Sequence, residues 1–308
     1  MIKKIITEIE RVIVGKEAAL TKLVIAILAN GHVLLDDVPG VGKTTLAMAT
    51  SKAMGLHYKR IQFTPDVLPS DITGFSVYNK DSNSLTYMPG AAANANILLG
   101  DEINRTSSKT QSALLEAMEE RQVTVDGTTH KLQNPFIVIA TQNNVGSAGT
   151  QLLPFAQLDR FLMRLSLGYP DFKSQMAIIK DRQTANPLDK VQQITTVEDI
   201  LAMQAEVTQV VIKDEIIAYI AQIAEASRAN EGIDLGISPR GALFIARAAK
   251  ARAYALGRDY TLPEDVREVL VDTCAHRVIL STKARAAQLT EAQVLEDMLT
   301  QVKPPDGV

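Results

Sequence analysis

Three short apolar runs, Val33–Leu35, Ile97–Leu99 and Phe136–Ala140, each give way at once to polar residues. Such runs, separated by helical patterns, predict buried strands of a parallel sheet in an α/β domain. Ligands of these sheets sit beyond the carboxyl ends of the strands. The polar residues found there are Asp37 to Thr45, Asp101–Glu102 and Thr141–Gln142–Asn143. If the three strands lie side by side, these groups converge on one spot. Gln111 to Glu120 carries Leu114, Leu115 and Met118 on one side of a helix. In Gln122–Lys131, Asp126–Gly127 between β-prone flanks signals a hairpin, and Gly74–Tyr87 reads as a second small β element. Either insertion is a working surface or a cover over a sheet edge.

Beyond Pro170 helical spacing takes over. Val197–Val211, Asp214–Asn230, Pro239–Leu256 and Pro263–Leu280 all show it, and Ile216, Ile220, Ile223 and Ala224 form one apolar stripe. The polar stretch Thr184–Lys190 reads as a linker. The expected organisation is an α/β domain over residues 1–186, a helical domain over 187–302 and a flexible tail over 303–308. Met1 to Arg11 alternates charge with isoleucine as a short amphipathic helix, without a signal peptide's apolar run.

Composition narrows the partners. A chain of 308 residues with 46% hydrophobic and 22% charged residues is that of an ordinary globular protein of about two domains. A net charge of −3 argues against a general nucleic-acid or anionic-membrane binder. No stretch reaches the ~18 apolar residues of a membrane span. The lone Cys274 excludes a disulfide framework and suits a reducing cytoplasm, where it reads as a small apolar filler. The four histidines have no paired metal spacing.

The chemistry gathers at the strand ends. Pro39–Gly40–Val41–Gly42–Lys43–Thr44–Thr45 joins a strand to a helix through a glycine-bearing turn. Backbone N–H groups of such a turn cradle phosphates, the lysine reaches the β- and γ-phosphates and the following hydroxyl ligates Mg2+. Asp37 stands where the usual pattern has glycine. Asp101 and Glu102 are costly beside a buried strand unless used; one can hold water on Mg2+ and the other act as general base. Asn143 either closes a turn or hydrogen-bonds a γ-phosphate. Arg160, in Leu158–Asp159–Arg160–Phe161, fits a surface ion pair or an arginine finger. Arg240 follows the N-cap Ser238 and Pro239, so it opposes the helix dipole; a nearby anion, phosphate or carboxylate, accounts for it.

Together these residues resemble the MoxR family of AAA+ ATPases over nearly the whole chain. The resemblance rests on Leu35–Thr44, Gln62–Gly74, Asp101–Arg105, Leu114–Val123, Ala140–Asn143, Gln157–Phe161 and Ser238–Arg240. It implies a P-loop AAA+ sheet flanked by helices with β-hairpin insertions, followed by a small all-α lid. Lys43 and Thr44 would serve Walker A, Asp101 and Glu102 Walker B, with Thr44 and Asp101 at Mg2+. Asn143 would be sensor 1, Arg160 the finger and Arg240 sensor 2, while Val14–Gly15 would lie by the adenine of ATP. The family acts as chaperone-like remodelling ATPases in rings, usually hexamers, often with a partner bearing a von Willebrand factor A domain. An acidic residue is common in it at Asp37. Departures fall at Ala91–Ala93, Asn144 and Gly149–Ala156. The alternatives are a metal-chelatase motor subunit, whose motor domain is similar, and a DNA-linked motor or regulator, which the absent basic surplus disfavours.

Overall fold

The computed structural model describes residues 1–81, 83–142, 153–181, 183 and 186–305. Its first half alternates helices and strands: α1 (Ile2–Glu10), α2 (Glu17–Leu28), β1 (Val33–Asp36), α3 (Lys43–Ala53), β2 (Tyr58–Gln62), α4 (Pro69–Thr73), β3 (Phe75–Asn79), β4 (Ser84–Met88) and β5 (Ile97–Asp101). There follow α5 (Ser108–Glu120), β6 (Gln122–Val125), β7 (Thr128–Lys131), β8 (Ile137–Gln142), α6 (Phe155–Leu158), β9 (Met163–Leu165) and α7 (Phe172–Asp181). The remainder is α8 (Val197–Gln209), α9 (Asp214–Ala229), β10 (Ile233–Leu235), α10 (Pro239–Ala255), α11 (Pro263–Cys274), β11 (Ile279–Leu280), α12 (Thr282–Ala286) and α13 (Glu291–Gln301).

These elements form two compact units. One comprises Met1–Val24, His32–Leu153 and Leu165–Leu201; the other comprises Ile25–Gly31, Pro154–Arg164 and Ala202–Val308. The sheet has the order β2-β5-β8-β1-β9. β1, β5 and β8, the three runs read from the sequence, are adjacent and parallel. Their apolar residues are fully buried, as strands covered on both faces require. The register sets Asp36 against Gln142, Leu35 against Thr141 and Gln62 against Asp101, which brings the polar strand ends level.

Both expected β insertions are antiparallel hairpins. Asp126 and Gly127 take φ of 48° and 78°, the left-handed pair that a two-residue hairpin turn requires. The Tyr87 ring stacks on His130 with centroids 3.7 Å apart, so the hairpins touch each other. β3–β4 leaves Phe75, Val77, Tyr78, Leu85 and Met88 exposed.

In the helical unit the stripe Ile216, Ile220, Ile223 and Ala224 is buried as its spacing predicts. The helix expected over Pro263–Leu280 stops instead at Cys274. Arg277 then turns inward, and Ile279–Leu280 pairs with β10. The apolar spacing runs on past the helix end, so it could not mark where Val278 and Ile279, both β-branched, leave the helix. Cys274 is fully buried, and burial pushes its thiol up to about 12.

Candidate functional site

The turn from β1 to α3 is built for an anion. Gly40 and Gly42 have φ of 84° and 97°, where side chains with a Cβ are strained. Gly42 is the N-cap of α3 and offers no side-chain acceptor. No side-chain cap therefore covers the first turn of α3, Lys43 to Thr45, at the positive end of the helix where phosphates bind. The Lys43 side chain is buried and donates to the carbonyls of Asp37 (2.7 Å), Gln142 (3.3 Å) and Val38 (3.4 Å). Burial pulls its ammonium below the usual lysine range, opposed by the charges of Asp37, Asp101, Asp36 and Glu102.

Asp101 closes β5 beside this turn. Its Oδ1 accepts the Thr141 hydroxyl at 2.7 Å, and its Oδ2 accepts Arg60 at 2.7 Å and faces the Thr44 hydroxyl at 3.5 Å. Thr44 and Asp101 thus present hard oxygens of the kind Mg2+ takes, and would hold the ion together with phosphate and water oxygens. The described residues hold no cluster of three or more His, Cys, Asp or Glu side chains that could hold a metal ion. Glu102 has left-handed backbone (φ 56°) and its N–H donates to the Thr141 hydroxyl at 2.9 Å. Its carboxylate accepts Gln62 at 3.2 Å and Arg105 at 2.7 Å. Next to this cluster, burial pushes the Tyr58 phenol up to about 12; Arg60 pulls it down and Asp101 pushes it up.

The structure thus brings Lys43 and Thr44, beyond β1, to the same sheet end as Asp101 and Glu102, at the end of β5, with β8 between the two strands. Ile13, just before Val14–Gly15, approaches the same turn: a Cβ on Gly42 would stand 3.9 Å from its Cδ1. Asn143, Asn144 and the stretch 149–152 lie outside the described residues.

Arg160 and Arg240 belong to the helical unit. Arg160 is half-buried in the turn that closes α6, its N–H donating to the Gln157 carbonyl at 3.2 Å. The anion near Arg240 is the Asp159 carboxylate, 3.9 Å from its guanidinium. Asp159 also accepts the Ser238 hydroxyl at 3.3 Å and Arg277 Nε at 2.9 Å. Arg277 is buried throughout, donates further to the carbonyls of Asp159, Phe161, Leu162 and Thr273, and lies 4.8 Å from the Phe244 ring centre. It therefore holds the Asp159–Arg160 turn.

Sequence reasoning missed Arg60 and Arg277, and named Gln62 and Thr141 only as members of motifs, without a role. β2 reads Tyr-Lys-Arg-Ile-Gln, with no apolar run to announce a strand. The usable signal for Arg277 was a charge inside the apolar stretch Cys274–Leu280.

Comparison with known proteins places nearly the whole chain in one family. A family model described as ATPase family associated with various cellular activities (AAA) matches residues 32–163, and an AAA lid domain model matches 225–298. An uncharacterized protein, YeaC of Bacillus subtilis, is 44% identical over 99% of this chain and 95% of its own length. The chaperone MoxR1 of Mycobacterium tuberculosis is 36% identical over 99% of this chain and 82% of its own. A crystal structure of a Cytophaga hutchinsonii protein, 39% identical, superposes with a TM-score of 0.90 over 99% of this chain and 95% of that one.

Proposed function

Since the chain belongs to the MoxR family of AAA+ ATPases, we propose that it binds ATP with Mg2+ at the carboxyl ends of β1, β5 and β8 and hydrolyses it to remodel a partner protein. The observation that carries this reading is the convergence of Lys43, Thr44, Asp101 and Glu102, with Asp101 reaching both Thr44 and Thr141.

In this reading the N–H groups from Gly40 to Thr45 and the Lys43 ammonium hold the phosphates, with Pro39 and Val41 shaping the loop. Thr44 and Asp101 hold Mg2+, whose charge offsets that of the β- and γ-phosphate oxygens. Val14 and Gly15 border the base. Glu102 takes a proton from the water that attacks the γ-phosphorus as the bond to the β–γ bridging oxygen breaks, giving ADP and inorganic phosphate. Asn143 contacts the γ-phosphate. Arg160 acts as the finger on a neighbouring copy, and Arg240 senses nucleotide from the helical lid. The assembly is a homo-oligomeric ring, a hexamer, working in the cytoplasm with a client protein and a partner bearing a von Willebrand factor A domain. The name of the mycobacterial relative supports the chaperone-like role. The exposed apolar residues of β3–β4 offer a client-facing surface. No helix among the described residues is long and apolar enough to cross a membrane.

Exchange of Glu102→Gln tests the reading. It keeps the size and one acceptor oxygen but removes the base, so turnover falls by roughly 10²–10⁴ while ATP binding persists. Undiminished hydrolysis overturns the assignment of the base, and failure of the wild type to bind ATP overturns the site.

A further inference from the structure

Asp37 occupies the position where phosphate loops usually carry glycine, yet its own backbone is not left-handed, so the turn does not dictate the choice of residue. What its side chain does is long-range. Oδ2 accepts the Ser166 hydroxyl at 3.1 Å, the Gly168 N–H at 3.0 Å and the Leu167 N–H, while Oδ1 accepts the Val38 N–H at 3.2 Å. Two successive N–H groups and a hydroxyl converging on one carboxylate oxygen form a small anion nest. Hydrogen bonds to an ionised acceptor are the stronger kind.

The segment so gripped runs on to the Val14–Lys16 stretch. The Tyr169 carbonyl accepts Lys16 Nζ at 2.9 Å, and Ser174 Oγ fills the space that a Cβ on Gly15 would need. Residues 166–174 therefore touch the phosphate loop through Asp37 and the Val14–Gly15 segment through Lys16 and Ser174. All of these contacts lie within the sheet-bearing unit.

We propose that Asp37 is a positioning residue: by clamping residues 166–174 to the phosphate loop, it fixes the spacing between the base end and the phosphate end of the nucleotide site, and hence affinity and base discrimination. This rests on the ATP-site reading above and adds to it a determinant of nucleotide specificity.

The test is equilibrium binding of fluorescent ATP and GTP analogues, with steady-state hydrolysis, on the full chain. Asp37→Gly restores the common loop residue and removes the clamp. It should weaken ATP binding roughly tenfold, the scale of losing a hydrogen bond to a charged group. The preference for ATP over GTP should shrink, and KM should rise by more than kcat falls. Asp37→Asn, which keeps an acceptor oxygen, should recover part of the loss. Ser166→Ala, a milder cut at the other partner, should shift the same quantities in the same direction. Combined with Lys16→Met, Asp37→Asn should lose less than the product of the single effects, because both act through one segment. Equal weakening for both nucleotides, a fall in kcat at unchanged affinity, or multiplicative single effects would each overturn the proposal. Should Asp37→Gly fail to fold, Ser166→Ala and Lys16→Met cut the same clamp from its other side and decide the matter. A wild type that binds no nucleotide defeats the ATP-site reading itself, whereas normal binding with an unmoved Asp37 variant defeats only the clamp.

Discussion

His276 lies wholly inside the helical unit, with Nε2 2.9 Å from the Phe161 carbonyl and the Arg277 guanidinium against it. Burial, and then the Arg277 charge, hold its pKa well below the ordinary histidine value, so the ring stays neutral in the folded chain. In the unfolded chain the same ring takes a proton below about pH 6.5. The unfolded state then binds more protons than the folded one, and stability falls as pH falls. Below pH 6.5 this single group should cost up to about 1.4 kcal/mol per pH unit. Urea unfolding at pH 7.5, 6.5 and 5.5 measures it, and His276→Gln should flatten that part of the profile. At the residue scale the sequence disclosed those groups whose role is local. Lys43 and Thr44 were legible because a strand end, a glycine turn and a helix start sit next to one another in the chain, and Asp101 because it closes an apolar run. Arg60, Arg277 and the partners of Asp37 were not, because they reach Asp101, Asp159 and Asp37 across 41, 118 and 129 to 131 residues.

The start of α11 shows how a helix end can be over-determined. Asp265 stands in its first turn, where the dipole favours an acid, and accepts the Leu262 N–H at 2.8 Å. It is fully buried, and Arg258 grips it with two hydrogen bonds of 2.7 and 2.6 Å while Arg252 adds a third. Burial pushes its pKa up, but the bonds from Arg258, Leu262 and Arg252 outweigh it and hold the carboxyl below the usual aspartate range. Removing one partner from such a buried group costs about 3–5 kcal/mol, so Asp265→Asn should lower stability on that scale at neutral pH. A depressed folded pKa means that this contribution is complete above the unfolded value of about 3.9 and is lost as pH falls through the folded one. The gap between wild type and variant, read from denaturant midpoints, should therefore narrow only below about pH 4, well under the window of His276. The acid at Asp265 was visible in the sequence as a good helix start; the two arginines converging on it were not. The same division runs through the elements. Central strands β1, β5 and β8 declared themselves as apolar runs because both faces are covered, whereas β2 carries Lys59 and Arg60 on exposed positions and β9 is only three residues long.

At the scale of the whole molecule, the finger role proposed for Arg160 predicts that it acts on the next copy and not on its own. It lies in the segment Pro154–Arg164, grouped with the helical unit, while Lys43, Asp101 and Glu102 belong to the sheet-bearing unit. Beneath it the buried Arg277 donates to both the carboxylate and the carbonyl of the half-buried Asp159, which holds the turn that carries Arg160. A backbone already held in place suits transition-state stabilisation by a finger, since less ordering is then needed as charge develops. Arg160→Ala should reduce hydrolysis by roughly 10³–10⁵ with ATP binding retained, the scale on which such fingers act. The direction of action separates in mixtures. A copy with Arg160→Ala keeps its own base, and a copy with Glu102→Gln keeps its own finger. In a ring that mixes them, every boundary pairing the first copy's nucleotide site with the second copy's arginine is complete. Neither variant alone contains such a boundary, so equimolar mixtures of the two inactive proteins should regain ATPase activity if Arg160 acts across the boundary. Mixtures whose co-assembly is established by size and tag capture, yet which stay inactive, would place the arginine's effect within its own copy.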